Sequence, residues 1–275
     1  RRQRQMCIRD RYIAVSKSNT IEVVNKNTLV SVVQIVPTPA QGNTPRDIVT
    51  DGKYVYVSMY TGVVSRIDPS TNTIDKTVAV GPNPEEMVIV NKSLYVTNSD
   101  GNNYNAGYAN GKSVSKISLS DFVEEKKIAV GLNPTKITAD ALGNVLVLCM
   151  GDYSATPATV WKINAEDEAT SMNIPATIMD IKDNSLYVIN APYGAPSITY
   201  TVYNTSSGAV EKENFVSAPV DAPAGIAVHS DGRIFITSYT LVGGFASYKT
   251  PGYVSEYSSD GTFVKKYDVG AVSYT

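Results

Sequence analysis

Residues 84–98 read PEEMVIVNKSLYVTN. Runs of β-branched and aromatic residues that are bounded by turn residues are typical of strands. This stretch therefore predicts a short strand over residues 87–90, a tight turn at Asn91 and Lys92, and a second strand over residues 94–98.

The second strand of this hairpin recurs along the chain at a period of roughly 40 to 50 residues. Its copies are residues 13–16, 56–59, 95–98, 146–149, 187–190 and 235–238. A third strand with alternating apolar and polar residues recurs at residues 21–25, 64–68, 114–118, 160–164 and 254–258. The fourth strands, such as residues 124–130, are charged, which protects an exposed sheet edge.

These repeats predict an all-β fold, a β-propeller of four-stranded blades with six to seven blades. We favour a fragment of a seven-bladed ring, and a six-bladed ring is the alternative. Links with the pattern Gly-x-Asn-Pro join the blades at residues 81–84 and 131–134, because proline suits the crossing from one blade to the next. Complete units are predicted to begin at Pro45, Pro84, Pro134, Pro175 and Pro223.

Composition limits the classes of protein to which the chain can belong. It has 275 residues and a formal net charge of -2, so no basic surface points to nucleic acid. No apolar run approaches the roughly 20 residues that a membrane span needs. Of the two cysteines, Cys149 is predicted to be a small buried hydrophobe, Cys7 lies outside the repeats, and no structural disulfide is expected.

The first eleven residues, RRQRQMCIRDR, do not follow the repeat pattern. They lack the apolar stretch of a signal peptide. We expect residues 1–11 to be a non-native or disordered segment, with a basic arm as the alternative. Residues 12–275 are predicted to form a single propeller domain. Two alternatives stay open: the C-terminal tail completes the first blade, or the domain is incomplete at both ends.

The sequence Tyr95-Val96-Thr97-Asn98 resembles the signature of the YVTN-repeat propellers, also called YncE-like or surface-layer propellers. The Gly-x-Asn-Pro links and the third strands are similar too, and the resemblance covers residues 12–270. Within that family the chain looks most like secreted lipoprotein propellers of gut Bacteroidetes. One such group captures cobalamin and sits on a TonB-dependent outer-membrane transporter.

The resemblance implies a ligand-binding protein outside the cytoplasm, at the cell surface or in the periplasm. A small ligand, with cobalamin the sharpest guess, and a TonB-dependent transporter are the implied partners. The lipoprotein signal and the lipidated cysteine of that group are not found in this sequence.

The connections between second and third strands are long, at residues 98–112, 151–159, 191–197 and 238–252. These loops and the Gly-x-Asn-Pro links are predicted to lie on the same face of the propeller. Because loops on a rigid scaffold commonly carry function, we predict that this face binds the ligand. Its tyrosines are Tyr60, Tyr104, Tyr108, Tyr153, Tyr193, Tyr239 and Tyr248. The links add Arg46, Glu86 and Lys136 as polar ligand-binding candidates. The alternative is that these tyrosines pack loop against loop and that the charges are ordinary surface groups.

Catalysis has little support in the sequence. The single histidine, His229, is predicted to be a solvated turn residue, so no imidazole metal cluster or serine–histidine–aspartate set can form. Residues 100–103 could offer oxygens to calcium, but a flexible asparagine-rich loop is the preferred interpretation. We predict no enzyme activity and no cofactor. Two alternatives remain. One is a scaffold that binds protein or glycan. The other is a metal-dependent lactonase, although Glu86 and Asp180 are too scattered in the repeat to support a shared metal site.

Overall fold

A computed structural model describes residues 10–193 and 197–270 of the chain. These residues form successive sheets in which each strand pairs with its neighbour in the chain, and we number these sheets as blades one to six. Blade one contains β1 (Asp10–Val15), β2 (Thr20–Asn25) and β3 (Ser31–Ile35). Blade two contains β4 (Pro45–Thr50), β5 (Val55–Met59), β6 (Val63–Asp68) and β7 (Thr73–Ala79). Blade three contains β8 (Pro84–Val90), β9 (Ser93–Asn98), β10 (Ser113–Ser118) and β11 (Val123–Ala129).

The remaining three blades follow the same order of strands. Blade four contains β12 (Pro134–Ala139), β13 (Val145–Cys149), β14 (Thr159–Ile163) and β15 (Ala169–Pro175). Blade five contains β16 (Ile178–Lys182), β17 (Ser185–Asn190), β18 (Thr199–Asn204) and β19 (Val210–Glu213). Blade six contains β20 (Pro223–Val228), β21 (Ile234–Ser238), β24 (Tyr253–Tyr257) and β25 (Phe263–Asp268), with a separate hairpin of β22 (Thr240–Val242) and β23 (Phe245–Ser247).

The predicted β-propeller fold class is confirmed. The described residues contain six blades, which is the smaller of the two predicted numbers. Five of them have four strands and blade one has three. None of the helices among the described residues has the length and apolar character needed to cross a membrane.

The described residues fall into two compact units. The first comprises residues 10–139, 143–157 and 161–171, and the second comprises residues 140–142, 158–160, 172–193 and 197–270. Within the first unit, the first strands β4, β8 and β12 pack side by side. Within the second unit, β16 packs against β20 in the same way. The expectation of a single domain over residues 12–275 stays a prediction.

Apolar clusters fill the space between consecutive blades of each unit. In the first unit one cluster joins Tyr12 of blade one to Val57 of blade two, and another joins Tyr56 to Met87 of blade three. Because the middle strands are covered on both faces, β5 and β13 are buried at every residue. Cys149 belongs to this core, as predicted, and burial raises the pKa of its thiol to about 12.

The Gly-x-Asn-Pro links bring consecutive blades of the first unit into close approach. A Cβ on Gly81 would lie 2.4 Å from Asn98 Cγ, and one on Gly131 would lie 2.5 Å from Trp161 Nε1. Asn83 and Asn133 adopt left-handed backbone with φ of 48° and 55°, a conformation that asparagine tolerates better than most residues. Glycine and asparagine are therefore both required by the link geometry.

Buried carboxylates bind the first strand of one blade to the first strand of the next. Asp47 Oδ2 accepts a hydrogen bond from the Met87 amide at 2.9 Å, and Glu86 Oε2 accepts one from the Ile137 amide at 3.4 Å. Both carboxylates belong to residues that are less than 5% exposed. Their role is to satisfy backbone amides that would otherwise be buried without an acceptor.

Two strand boundaries and one hairpin differ from the predictions. Pro175 ends β15, and the first strand of blade five begins at Ile178 because this blade lacks the Gly-x-Asn-Pro link. β1 begins at Asp10, inside the segment expected to lie outside the repeats. Cys7 and the other residues of 1–9 lie outside the described part. The hairpin of β22 and β23 was not predicted, although Gly243 and Gly244 have the positive φ values of its turn.

We expect Asp47→Ala to lower the free energy of unfolding by about 1 to 3 kcal/mol, because the buried Met87 amide loses its acceptor. The control is Asp121→Ala, which removes an exposed carboxylate in a turn and should change stability by less than about 0.5 kcal/mol. Urea unfolding measures both. Equal stability for the two variants would contradict the role given to Asp47.

Thiol labelling tests the buried position of Cys149. In a Cys7→Ser background, a thiol reagent at pH 8 should leave native protein unlabelled and should react once the chain is unfolded. The thiol has a higher pKa in the folded protein than in the unfolded chain. Its contribution to the free energy of unfolding is therefore fully present below the pKa of the unfolded thiol, about 8.5, and is lost as pH rises towards 12. Rapid labelling of the native protein would contradict the burial.

Candidate functional site

The loops between second and third strands and the links between blades meet at one end of the first unit. The link before blade three is bonded to the loop within it, since the Ser99 and Asp100 amides donate to the Asn83 and Pro82 carbonyls at 3.1 Å. The link before blade four repeats this pattern at Met150 and Gly151. The loops are therefore held by backbone bonds rather than left to pack by side chains alone.

The link asparagines add side-chain bonds to the same loops. Asn83 Nδ2 donates to the Tyr60 carbonyl at 2.9 Å, and Asn83 Oδ1 accepts from the Asn102 amide at 3.0 Å. Asn133 Nδ2 donates to the Gly151 carbonyl at 3.2 Å, and its side chain also hydrogen-bonds Tyr153. Each asparagine thus joins a blade link to the loops that carry the candidate tyrosines.

Arg46, Glu85 and Tyr60 form a polar and aromatic group at this end. Arg46 Nε and Nη2 lie 2.8 and 2.7 Å from Glu85 Oε2, and the guanidinium lies 4.9 Å from the centroid of the Tyr60 ring. The Glu85 side chain is 9% exposed and that of Arg46 is 36% exposed. The buried carboxylate therefore holds a partly exposed cation over an aromatic face.

The hydroxyl of Tyr60 is fixed by the neighbouring loop. It hydrogen-bonds the Ser99 side chain, and burial raises the pKa of the phenol. A Cβ on Gly101 would lie 2.2 Å from Tyr60 Oη, so only glycine leaves room for the hydroxyl in this position. The loop and the tyrosine are matched in shape.

Tyr108 and Tyr153 bring two long loops together in an edge-to-face contact, with ring centroids 6.1 Å apart and planes at 64°. Both tyrosines adopt left-handed backbone, with φ of 58° and 60°. This conformation is unusual for a bulky residue and costs free energy. We name Arg46, Tyr60, Glu85, Tyr108 and Tyr153 the loop platform.

The loop of residues 100–110 is folded around Asp100. Its Oδ2 accepts from Asn103 Nδ2 and from the Asn110 amide, both at 2.9 Å. A short 3-10 helix (Gly101–Ala106) lies between Asp100 and Asn110. Asp100 is 5% exposed and points into its own loop. Among the described residues no group of three or more histidine, cysteine, aspartate or glutamate side chains could hold a metal ion.

The other tyrosine candidates lie elsewhere. Tyr104 is on the same loop as Tyr108 but is 63% exposed, and the described rings give it no aromatic partner. In the second unit Tyr239 and Tyr248 contact each other with ring centroids 5.1 Å apart. Tyr193 and Tyr239 line a cleft of about 430 Å³ together with Ile198, Leu241 and Phe245.

The predicted polar candidates are placed differently from one another. Arg46 belongs to the loop platform, Glu86 is buried between β8 and β12, and Lys136 is half-buried within β12. The acid that pairs with Arg46 is Glu85, one residue before the candidate Glu86. His229 is exposed in the turn between β20 and β21, as predicted, with Nδ1 2.8 Å from Asp231 Oδ1.

Sequence reasoning did not find the roles of Asn83, Asn133 and Asp100. The repeated asparagine of the Gly-x-Asn-Pro links was the available signal, since a left-handed residue with an amide side chain can bond two chain segments at once. Asp100 had a weaker signal, because an aspartate before an Asn-rich loop is as typical of a turn as of a cation site.

No family model matches the chain, and no curated protein matches it. Solved structures match it as a β-propeller. A functionally unknown protein from Desulfotomaculum acetoxidans DSM 771 is 13% identical, with 95% of this chain and 80% of that chain covered and a TM-score of 0.67. Kuenenia stuttgartiensis hydrazine synthase is 19% identical with a TM-score of 0.60, and the match covers 78% of this chain and 63% of that chain.

A quinonprotein alcohol dehydrogenase-like protein from Bacteroides thetaiotaomicron VPI-5482 is also similar. It is 15% identical, with 96% of this chain and 64% of that chain covered and a TM-score of 0.60. The chain thus spans a little under two thirds of the hydrazine synthase and dehydrogenase-like chains. At these identities the likeness shows the fold alone.

A double-mutant cycle tests the match between Gly101 and Tyr60. Gly101→Ala should cost about 1 to 3 kcal/mol of unfolding free energy, because the added methyl meets Tyr60 Oη. In a Tyr60→Phe background the same substitution should cost at least 0.5 kcal/mol less, measured by urea unfolding, since the hydroxyl is gone. Additive effects of the two substitutions would contradict the close contact.

Proposed function

We propose that the protein is a non-enzymatic ligand-binding propeller and that the loop platform captures a small ligand. The support comes from the strained contact of Tyr108 and Tyr153. Left-handed backbone at a residue other than glycine costs about 1 to 3 kcal/mol and is common where function requires it. Phe122 is also left-handed, but its ring is 3% exposed and packs against Tyr56, so burial offsets its strain. Tyr153 remains 65% exposed, and its strain lacks that compensation.

The chemistry of the loop platform suits a flat ligand with polar edges. Tyrosine offers an aromatic face and a hydroxyl with few rotatable bonds. Arg46 adds a positive charge and hydrogen-bond donors held in place by Glu85. A ligand that stacks on the rings would present its polar groups to these side chains.

Within that class we propose a corrinoid such as cobalamin, whose flat ring carries amide groups at its edge. This choice rests on the resemblance to the YVTN-repeat propellers of Bacteroidetes, as do the location outside the cytoplasm and transfer to an outer-membrane transporter. A metal-dependent hydrolase has no specific support among the described residues.

A scaffold that binds a protein is the second candidate, and one observation in the second unit favours it. The hairpin of β22 and β23 exposes Leu241, Val242 and Phe245 around its Gly243–Gly244 turn. Exposed apolar side chains grouped on a projecting hairpin are typical of interaction sites.

The experiment is a binding titration with cyanocobalamin, cobinamide and haem, followed by intrinsic fluorescence and by thermal shift. Wild-type protein should bind a corrinoid. Tyr153→Gly should weaken binding at least tenfold while the unfolding free energy changes by about 1 kcal/mol or less, because glycine relieves the left-handed strain as the ring contacts are lost. Tyr104→Ala, an equally exposed tyrosine on the neighbouring loop, is the matched control and should bind as wild type.

Two outcomes would count against the proposal, in different ways. No binding of any corrinoid by the wild-type protein would reject the ligand class and favour the protein scaffold. Corrinoid binding that survives Tyr153→Gly unchanged would reject the loop platform as the site.

A further inference from the structure

The outer strand of blade one differs from the outer strands of the other blades. Ile35 of this strand packs in the core, but the other large apolar side chains of the strand and of the residues that flank it are between 37% and 64% exposed. They are Leu29, Val30, Val32, Val33 and Val36. No charged residue occurs from position 27 to position 45. The strand is thus uncharged and exposes two valines, Val32 and Val33, to water.

Charges mark the outer strands of blades two, three, five and six. These charged residues are Asp75 and Lys76 in β7, Glu124 to Lys127 in β11, Glu211 to Glu213 in β19, and Lys265 and Lys266 in β25. Such charges are a common means of preventing an edge strand from pairing with another chain. A β-bulge between third and fourth strands, another such means, is present in blades one, two, three, five and six. The bulge does not set β3 apart. The outer strand of blade four, β15, is also uncharged, but none of its large apolar side chains is among the exposed ones. Among the described outer strands, β3 alone combines a missing charge with exposed large apolar side chains.

Within its sheet β3 pairs with β2 and is the last strand. The backbone groups of alternate residues on its far side therefore point outward, as on any edge strand. The charge nearest to it in the sheet, Glu22 of β2, is already bound by β3, through Ser31 Oγ and through Gln34 Nε2 at 3.2 Å. Adding another strand to this edge would therefore not remove an unpaired charge from water.

We infer that β3 is a self-association edge, on which a second copy of this chain adds its own β3 in antiparallel orientation. A two-fold axis at the edge pairs β3 of one copy with β3 of the other. The two three-stranded sheets then form one six-stranded sheet. Because residues 27–45 carry no charge, every register of this pairing is free of opposed like charges. An uncharged apolar strand is complemented best by another of the same kind, and the second copy supplies one at equal concentration.

The size of the edge determines how strong the association is. A single pair of short strands buries less than the roughly 1,200 Å² of standard interfaces, so the dimer forms reversibly and depends on concentration. This inference concerns blade one and is independent of ligand binding by the loop platform.

Sedimentation velocity over a hundredfold concentration range tests the inference on the full chain. Wild type should shift from monomer to dimer as concentration rises. Val32→Lys should raise the dissociation constant of the dimer at least tenfold, because it places a charge on the edge. Val210→Lys, at an equally exposed valine of β19, is the matched control and should dimerise as wild type.

Circular dichroism establishes that the variants are folded. Val30→Lys, immediately before β3 and at a residue that is 64% exposed, serves as a second edge variant. A wild type that stays monomeric throughout would overturn the inference. So would equal loss of the dimer in Val210→Lys, or a dimer that persists in both Val32→Lys and Val30→Lys. Retention by the control with loss in the edge variants would establish β3 as the interface.

Discussion

The close approach of consecutive blades at the Gly-x-Asn-Pro links is the constraint on which the first unit depends. Glycine is needed because a Cβ at Gly81 or Gly131 would overlap a side chain of the following blade. Asparagine is needed because the chain turns through left-handed backbone and because its amide bonds two loops. Proline then starts the next first strand, where its missing amide is tolerated.

The candidate site follows from these links rather than from the tyrosines alone. Asn83 fixes the loop that carries Tyr60, and Asn133 fixes the loop that carries Tyr153. Rings that would be mobile on free loops are held in one arrangement, which lowers the entropy lost when a ligand binds. The left-handed tyrosines lie on loops that these links hold, and this support offsets the strain of Tyr108 and Tyr153.

Much of the fold could be predicted because strand alternation repeats along the chain and a proline starts the first strand of blades two, three, four and six. The prediction was wrong at Pro175, where β15 runs to the proline and no glycine allows the close crossing seen at Gly81. The sequence could also not decide between Glu85 and Glu86, since adjacent strand residues point to opposite sides and one residue of register determines which acid meets Arg46. The pairing of Tyr108 with Tyr153 joins loops of two blades, and no local pattern carries that information.

Hydrogen exchange of Asn83→Gly tests most directly whether the links hold the site. Glycine keeps the left-handed backbone but removes the side-chain bonds to the Tyr60 carbonyl and the Asn102 amide. The account predicts faster amide exchange over residues 99–110 with unchanged protection in β8 to β11, and no such change in Asn91→Gly, a left-handed asparagine in the turn between β8 and β9. Loop protection that is identical in wild type and Asn83→Gly would contradict it.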